Sequence, residues 1–303
     1  HSWGTRAIRE NGTVKGVVFE SKSGRLAILS KIVIDSTGDG DIMSSAGVEY
    51  DENIDPRHKA AQMALFWRFG NVDFAKFNEY REINQAEYNE LMAELKKVNG
   101  GIFVQPNAAN RPDIVWFNNH VPGLNPNNIE HLTSIEVNLR KTVRITHDFF
   151  KRNIPGFDKS FIMDTASQVG IRGGRRMIGE HVFSQQDIAT GKVHADTIGV
   201  FPSTRNAPDD LPPGEPPLGY VPYRSLIPRD VDGIMVACRA FSSDMVANDT
   251  FNWIPHCITY GEAAGTAAAI AVRDGIQPRV VNYGKLQKQL LKQGVLLPGV
   301  PRV

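Results

Sequence analysis

Hydrophobic and polar positions change character twice within the first 50 residues. Residues 5–9, 14–21 and 26–29 are strand-like stretches separated by Asn11-Gly12 and Ser23-Gly24. Glycine reaches positive φ at such turns without a Cβ clash. The pattern therefore predicts a three-stranded antiparallel meander. Residues 31–35 differ, because Ile32-Val33-Ile34 is a continuous apolar run. Such a run suits a strand buried on both faces in a parallel sheet. It ends abruptly in Ser36-Thr37-Gly38-Asp39-Gly40-Asp41, and residues 42–47 then read as a short helix.

A second pattern occupies residues 50–202. A strand is expected around residues 64–69 and a polar amphipathic helix over 85–99. Asparagine and proline dominate residues 105–128, which predicts mostly loop. Ile135, Leu139, Val143, Thr146 and Phe150 recur at helical spacing and predict a helix over 134–151. Residues 161–171 read as a strand, and residues 208–217 as a proline-rich connector. The chain then returns to a strand at 233–237 and a helix at 258–273. That helix carries Gly261, Ala263, Ala264, Gly265, Ala267, Ala268 and Ala269. Residues this small let a helix approach another backbone or a cofactor closely. A final amphipathic helix over 283–293 is expected at the periphery.

Composition narrows the function. The 303 residues carry 34 basic and 33 acidic side chains, a formal net charge of +1. That balance, with no basic stripe interleaved with aromatics, argues against nucleic acid as a partner. No apolar run is long enough for a transmembrane helix. Cys238 and Cys257 are the only cysteines, too few for a disulfide framework or a zinc site; they read as buried free thiols. The eight histidines include no His-Glu-x-x-His motif, so no metal is expected. A Gly-x-Ser-x-Gly nucleophile elbow is also absent.

Ligands of open α/β sheets bind beyond the carboxyl ends of the strands. Two places meet that condition: the Thr37-Gly38-Asp39 turn and the Ala237-Cys238-Arg239-Ala240 exit ahead of the alanine-rich helix. Either alone fits an ordinary strand exit. The start of the long helix offers unpaired N–H groups and partial positive charge.

Three blocks in this order carry a resemblance: residues 34–47, residues 171–180 with Arg172-Gly173-Gly174-Arg175-Arg176, and residues 221–268 with Ala237-Cys238-Arg239 and Gly261-Glu262-Ala263-Ala264-Gly265. The chain resembles the FAD-dependent oxidoreductases, glutathione-reductase-like flavoproteins related to fumarate reductase flavoproteins. The resemblance implies an α/β fold with a discontinuous, Rossmann-like FAD-binding domain that contains the meander. Residues 1–50 and 218–280 would form it, with an inserted α+β substrate domain over 51–217 and a C-terminal tail over 281–303 packed outside.

The resemblance also implies roles. Thr37, Gly38 and Asp39 would lie by the adenosine and pyrophosphate of FAD, and Arg239 and Ala240 by the flavin. Pro255, His256, Cys257 and Ile258 would touch the isoalloxazine edge. Of Arg172, Arg175 and Arg176, at least one would face a substrate carboxylate, since a guanidinium can grip one in two places. Arg172 and Arg175 are the catalytic candidates; the remaining arginines would form ion pairs, for example with Glu180 or Asp187. His256 is the acid–base candidate, with a packing or capping role as its alternative.

Some features depart from the family pattern. Asp249-Thr250-Phe251-Asn252 stands where relatives place an arginine, and Ser203-Thr204-Arg205-Asn206 replaces an acidic-and-histidine stretch. A Gly-x-Gly-x-x-Gly fingerprint is absent. Because the chain starts at His1, the expectation is a fragment whose glycine-rich segment lies upstream and which holds FAD weakly or not at all by itself. The implied reaction is dehydrogenation or reduction of a small molecule through FAD. The alternatives are a flavin monooxygenase or reductase on the same scaffold, or a non-catalytic interaction protein. A cytoplasmic location is expected; the oligomeric state is not legible.

Overall fold

The meander forms as its turns demand. In the computed structural model, which describes residues 1–58, 62–203 and 217–298, strands β1 (Ser2–Glu10), β2 (Thr13–Ser21) and β3 (Gly24–Leu29) pair antiparallel in that order. Asn11 (φ 47°) and Gly12 (φ 80°) close the first hairpin in the left-handed region. Gly16 is required by packing, since a Cβ there would lie 2.2 Å from the Ile28 carbonyl oxygen.

Strand β4 (Val33–Asp35) and helix α1 (Asp41–Ser45) follow, then β5 (Tyr50–Asp51), β6 (Gln62–Ala64) and β7 (Trp67–Gly70). Two helices come next, α2 (Phe74–Ile83) and α3 (Gln85–Val98); α2 was not anticipated. The expected loop at 105–128 is instead a hairpin of β8 (Phe103–Ala108) and β9 (Ile114–Pro122). β9 is the organising strand of its sheet. One edge pairs with β8 and the other with both β7 and β6.

Asn119 explains why composition misled. It is fully buried, and its side-chain amide donates to the Leu65 carbonyl and accepts from the Leu65 amide. One asparagine thereby mimics a ladder partner where β9 changes neighbours from β7 to β6.

Helix α4 (Ile129–Asn153) buries all five residues of the expected periodic set, and is longer than the period suggested. Asn128 caps it by accepting from the His131 amide. The single strand expected at 161–171 is two, β10 (Phe161–Thr165) on β7 and β11 (Gly170–Ile171) on β6.

Next come β12 (Arg176–Met177), α5 (Gln185–Ala189), β13 (Thr197–Pro202), β14 (Leu218–Pro222), β15 (Ile234–Val236) and α6 (Met245–Phe251). Helices α7 (Ile254–Asp274) and α8 (Tyr283–Lys292) complete the described chain. The connector expected at 208–217 lies outside the described residues, apart from Pro217. β15 pairs parallel with β4, Ile234 opposite Val33.

The chain divides into two compact units, one of residues 1–53 and 173–303, the other of residues 54–172. The expected divisions at 50/51 and 217/218 are thus moved: residues 173–203 pack with the first unit. Helix α8 lays one face on the first unit and leaves the other exposed. Leu286 and Leu290 are buried in the same cluster as Tyr223, Tyr260 and the alanines of α7, and Gln287 donates to the carbonyls of Ala195 and Thr197. In α7, Ala263, Ala264, Ala267 and Ala271 are fully buried. Gly261 and Gly265 point into open space, with no atom within 4 Å of a built Cβ.

Candidate functional site

Parallel pairing brings the two strand exits of the first unit side by side. At the end of β4, Asp35 is 1% exposed. Its carboxylate accepts from the Thr37 amide (3.0 Å), the Thr37 hydroxyl (2.7 Å) and the Met43 amide (2.7 Å). The Thr37 hydroxyl in turn accepts from the Asp41 amide at 2.9 Å. One buried carboxylate thus folds residues 37–43 into a rigid loop. Ser36 Oγ donates across to the Ala237 carbonyl at 3.2 Å and ties this loop to the β15 exit.

A charged cluster stands on that loop. Arg239 Nη2 meets Asp39 Oδ1 at 2.7 Å. Arg175 Nη1 donates to the Asp39 carbonyl and to Asp41 Oδ1, both at 3.0 Å, and the Arg175 guanidinium lies 5.4 Å from the Tyr50 ring centroid. Gly38 has φ +90°, and a Cβ there would fall 2.3 Å from Arg239 Nη1. Glycine is therefore needed twice over, for conformation and for space. Asn248 holds the Arg239 backbone by donating to its carbonyl at 3.0 Å.

Thr37, Gly38, Asp39, Arg239 and Arg175 converge in this way. Asp35, Asp41 and Tyr50 also belong to the arrangement and were not singled out from sequence. An acidic residue closing an apolar strand before Thr-Gly was the signal available for Asp35. Ala240 lies behind the cluster, fully buried, its carbonyl accepting from the Met177 amide. Arg172 belongs to the second unit, where its amide donates to the Gln62 carbonyl. Arg176 is a structural ion-pair partner, buried and 2.6 Å from Asp51. The partners expected for such pairs are otherwise engaged: Glu180 pairs with Arg279 at 2.9 Å and Asp187 with His181 at 2.8 Å.

The α7 entrance is mixed. Pro255 is exposed and Ile258 is 65% exposed. Cys257 is half-buried, and burial pushes its thiol up to about 11. Cys238 is buried, and burial, with the charge of Asp35, pushes its thiol up to about 12. Both are free thiols, protonated and unreactive at neutral pH. His256 is buried in an aromatic box, its ring centroid 4.3 Å from Phe201, 5.3 Å from Phe251 and 6.3 Å from Trp253. Burial lowers its pKa to about 4. It is a neutral imidazole and cannot act as an acid at neutral pH.

The donor set can be tested against a dinucleotide. Arg175 Nε and Arg239 Nε are both buried without a hydrogen-bond partner. Two guanidiniums with unmet donors, above a loop of small residues at parallel strand ends, suit a pyrophosphate in charge and in hydrogen bonding.

The parallel strand exits and the meander define an α/β arrangement. The family model described as FAD dependent oxidoreductase matches residues 1–290, and the chain belongs to that family; FAD is its cofactor. No curated protein matches the chain. Among solved structures, a triple mutant of the flavin-dependent brominase Bmp2 is similar with TM-score 0.41 and 11% identity, over 96% of this chain and 55% of that one. A geranylgeranyl bacteriochlorophyll reductase-like protein from Thermoplasma acidophilum is similar with TM-score 0.43 and 14% identity, over 96% and 53%. The chain spans about half the length of these structures. No described helix is long and apolar enough to cross a membrane.

Proposed function

We propose that the chain serves a flavoenzyme that dehydrogenates or reduces a small molecule, with the dinucleotide held at the paired exits of β4 and β15. The observation that carries this reading is the convergence of Gly38, Asp39, Arg239 and Arg175 on one rigid loop, with two buried guanidinium donors unmet. FAD, when bound, supplies the hydride and electron chemistry. The protein's part is binding and orientation. Arg239 and Arg175 neutralise phosphate charge, Thr37 and Asp35 keep the loop shaped, and Gly38 leaves room for the Arg239 guanidinium. His256, neutral above about pH 4, packs in its aromatic box and is assigned no proton transfer. The family defines an oxidoreductase; the substrate class and the division of the chain into cofactor and substrate parts remain part of this proposal.

The test is a visible spectrum of the purified protein, followed by titration with FAD. Flavin bands that bleach on anaerobic reduction are the expected result. Arg239→Ala should weaken FAD binding by about 10- to 100-fold, the worth of a charged hydrogen bond. A colourless protein that takes up no added FAD, in this form and in its longest natural form, overturns the reading.

A further inference from the structure

His181, Asp187 and His194 stand at no motif spacing, yet the first unit gathers them. Ser184 caps α5 and forms a reciprocal capping box with Asp187. This use of Asp187 is one-sided. Its Oδ2 accepts from the Ser184 amide and hydroxyl, both at 3.1 Å, and lies 2.8 Å from His181 Nε2. Its Oδ1 is left facing His194 Nε2 at 3.6 Å and Lys192 Nζ at 3.5 Å. The two imidazole rings lie 4.7 Å apart, edge to face.

His194 is the anomaly. It is 4% exposed, and its Nε2 has no hydrogen-bond partner. An unmet buried polar atom costs about 1–3 kcal/mol and calls for an explanation. If Nε2 carries the proton, Asp187 is too distant to accept it well. If Nε2 carries the lone pair, it points at a carboxylate, which repels it. Neither tautomer satisfies this buried atom; a cation between the groups does.

We propose that His181, Asp187 and His194 form a three-ligand site for a divalent transition metal of the zinc class, with a fourth position open to water. One ligand atom from each lies within 4.8 Å of the others. Tetrahedral coordination at about 2.0–2.1 Å puts ligand atoms about 3.3–3.4 Å apart. His181 Nε2 now lies 2.8 Å from Asp187 Oδ2 and His194 Nε2 3.6 Å from Oδ1, so a turn of the Asp187 carboxylate would present one oxygen to an ion held by both imidazoles. Two imidazoles and one carboxylate favour zinc, nickel or copper over magnesium or calcium. Lys192, whose side chain is 56% exposed, can swing into solvent as the metal enters. The bound ion would cross-link α5 to the segment leading into β13. The site is independent of the flavin reading, because it involves none of the residues assigned to FAD.

Untagged, chelator-treated full-length chain is titrated with Co(II) and followed by visible absorption, then back-titrated with Zn(II). One equivalent of Co(II) giving the intense bands of a tetrahedral centre, bleached by one equivalent of Zn(II), is the expected result. His194→Ala and His181→Gln should each abolish saturable binding, and His147→Gln should leave it intact. His181 is partly exposed, so His181→Gln answers even if His194→Ala does not fold. Its far-UV circular dichroism should match the parent, and the Tm rise that Zn(II) gives the parent should vanish. Absence of saturable Co(II) binding by the parent, or unchanged stoichiometry in His181→Gln, overturns the proposal.

Discussion

His256 shows how one side chain links packing to pH. Its folded-state pKa of about 4 lies below the ordinary value of 6.5, because the aromatic box excludes the charged form. The unfolded chain therefore binds the extra proton first as pH falls. Stability from this group is fully present above pH 6.5 and is lost as pH drops towards 4. The gap corresponds to about 3 kcal/mol. Urea denaturation of the parent and of His256→Phe at pH 7.5 and pH 4.5 checks this. The variant should lose about 2.5 kcal/mol less stability across that interval than the parent. Equal losses would mean that the histidine stays solvated. At the same scale, the sequence made Gly38, Asp39 and Arg239 legible, because a strand exit needs small or turn-forming residues in a fixed order. It did not reveal Tyr50 or Asp41, whose closeness to Arg175 depends on where β5 and α1 settle.

Elements with a strong period were read well. The meander is written in its glycine turns, and α4 in five apolar positions on one face. The β8–β9 hairpin was not, because its central strand contains buried asparagine, a residue whose usual place is a turn. Asn119 earns its position by pairing with both backbone groups of Leu65. Asn119→Ala leaves that amide and carbonyl buried and unmet, and should destabilise the second unit by about 3 kcal/mol. A denaturation midpoint of the second unit, measured from the fluorescence of its Trp67 and Trp116, would show it. A change under 1 kcal/mol would mean that water replaces the side chain.

Whole-molecule organisation was half legible. The insertion of one unit into another was expected, but its second edge was set about 45 residues too late, because 173–203 carry no compositional break. The structure supplies the criterion that sequence lacked. The aromatic cluster around Trp67, Phe117 and Phe157, and its neighbour around Met63 and Leu139, draw every member from residues 54–172. The other two clusters draw every member from the remaining chain. An excised 54–172 segment should therefore fold alone, with a cooperative thermal transition and dispersed amide resonances. A fragment of residues 1–172 should leave the meander and β4 unfolded, since β15 is missing. Collapsed amide dispersion in the first fragment, or protected amides at Val33–Asp35 in the second, would refute this independence.

The pairing of β4 with β15 sets a schedule for synthesis. Ser36 and the Ala237 carbonyl it grips are 201 residues apart. A ribosome adding roughly 5–20 residues per second takes about 10–40 s to cross that distance. Throughout that interval the 37–43 loop has no neighbouring strand to rest on, while the inserted unit has already been made. The nascent chain thus carries a finished unit and an unpaired β4 together, and that open strand edge is where a chaperone would have work to do.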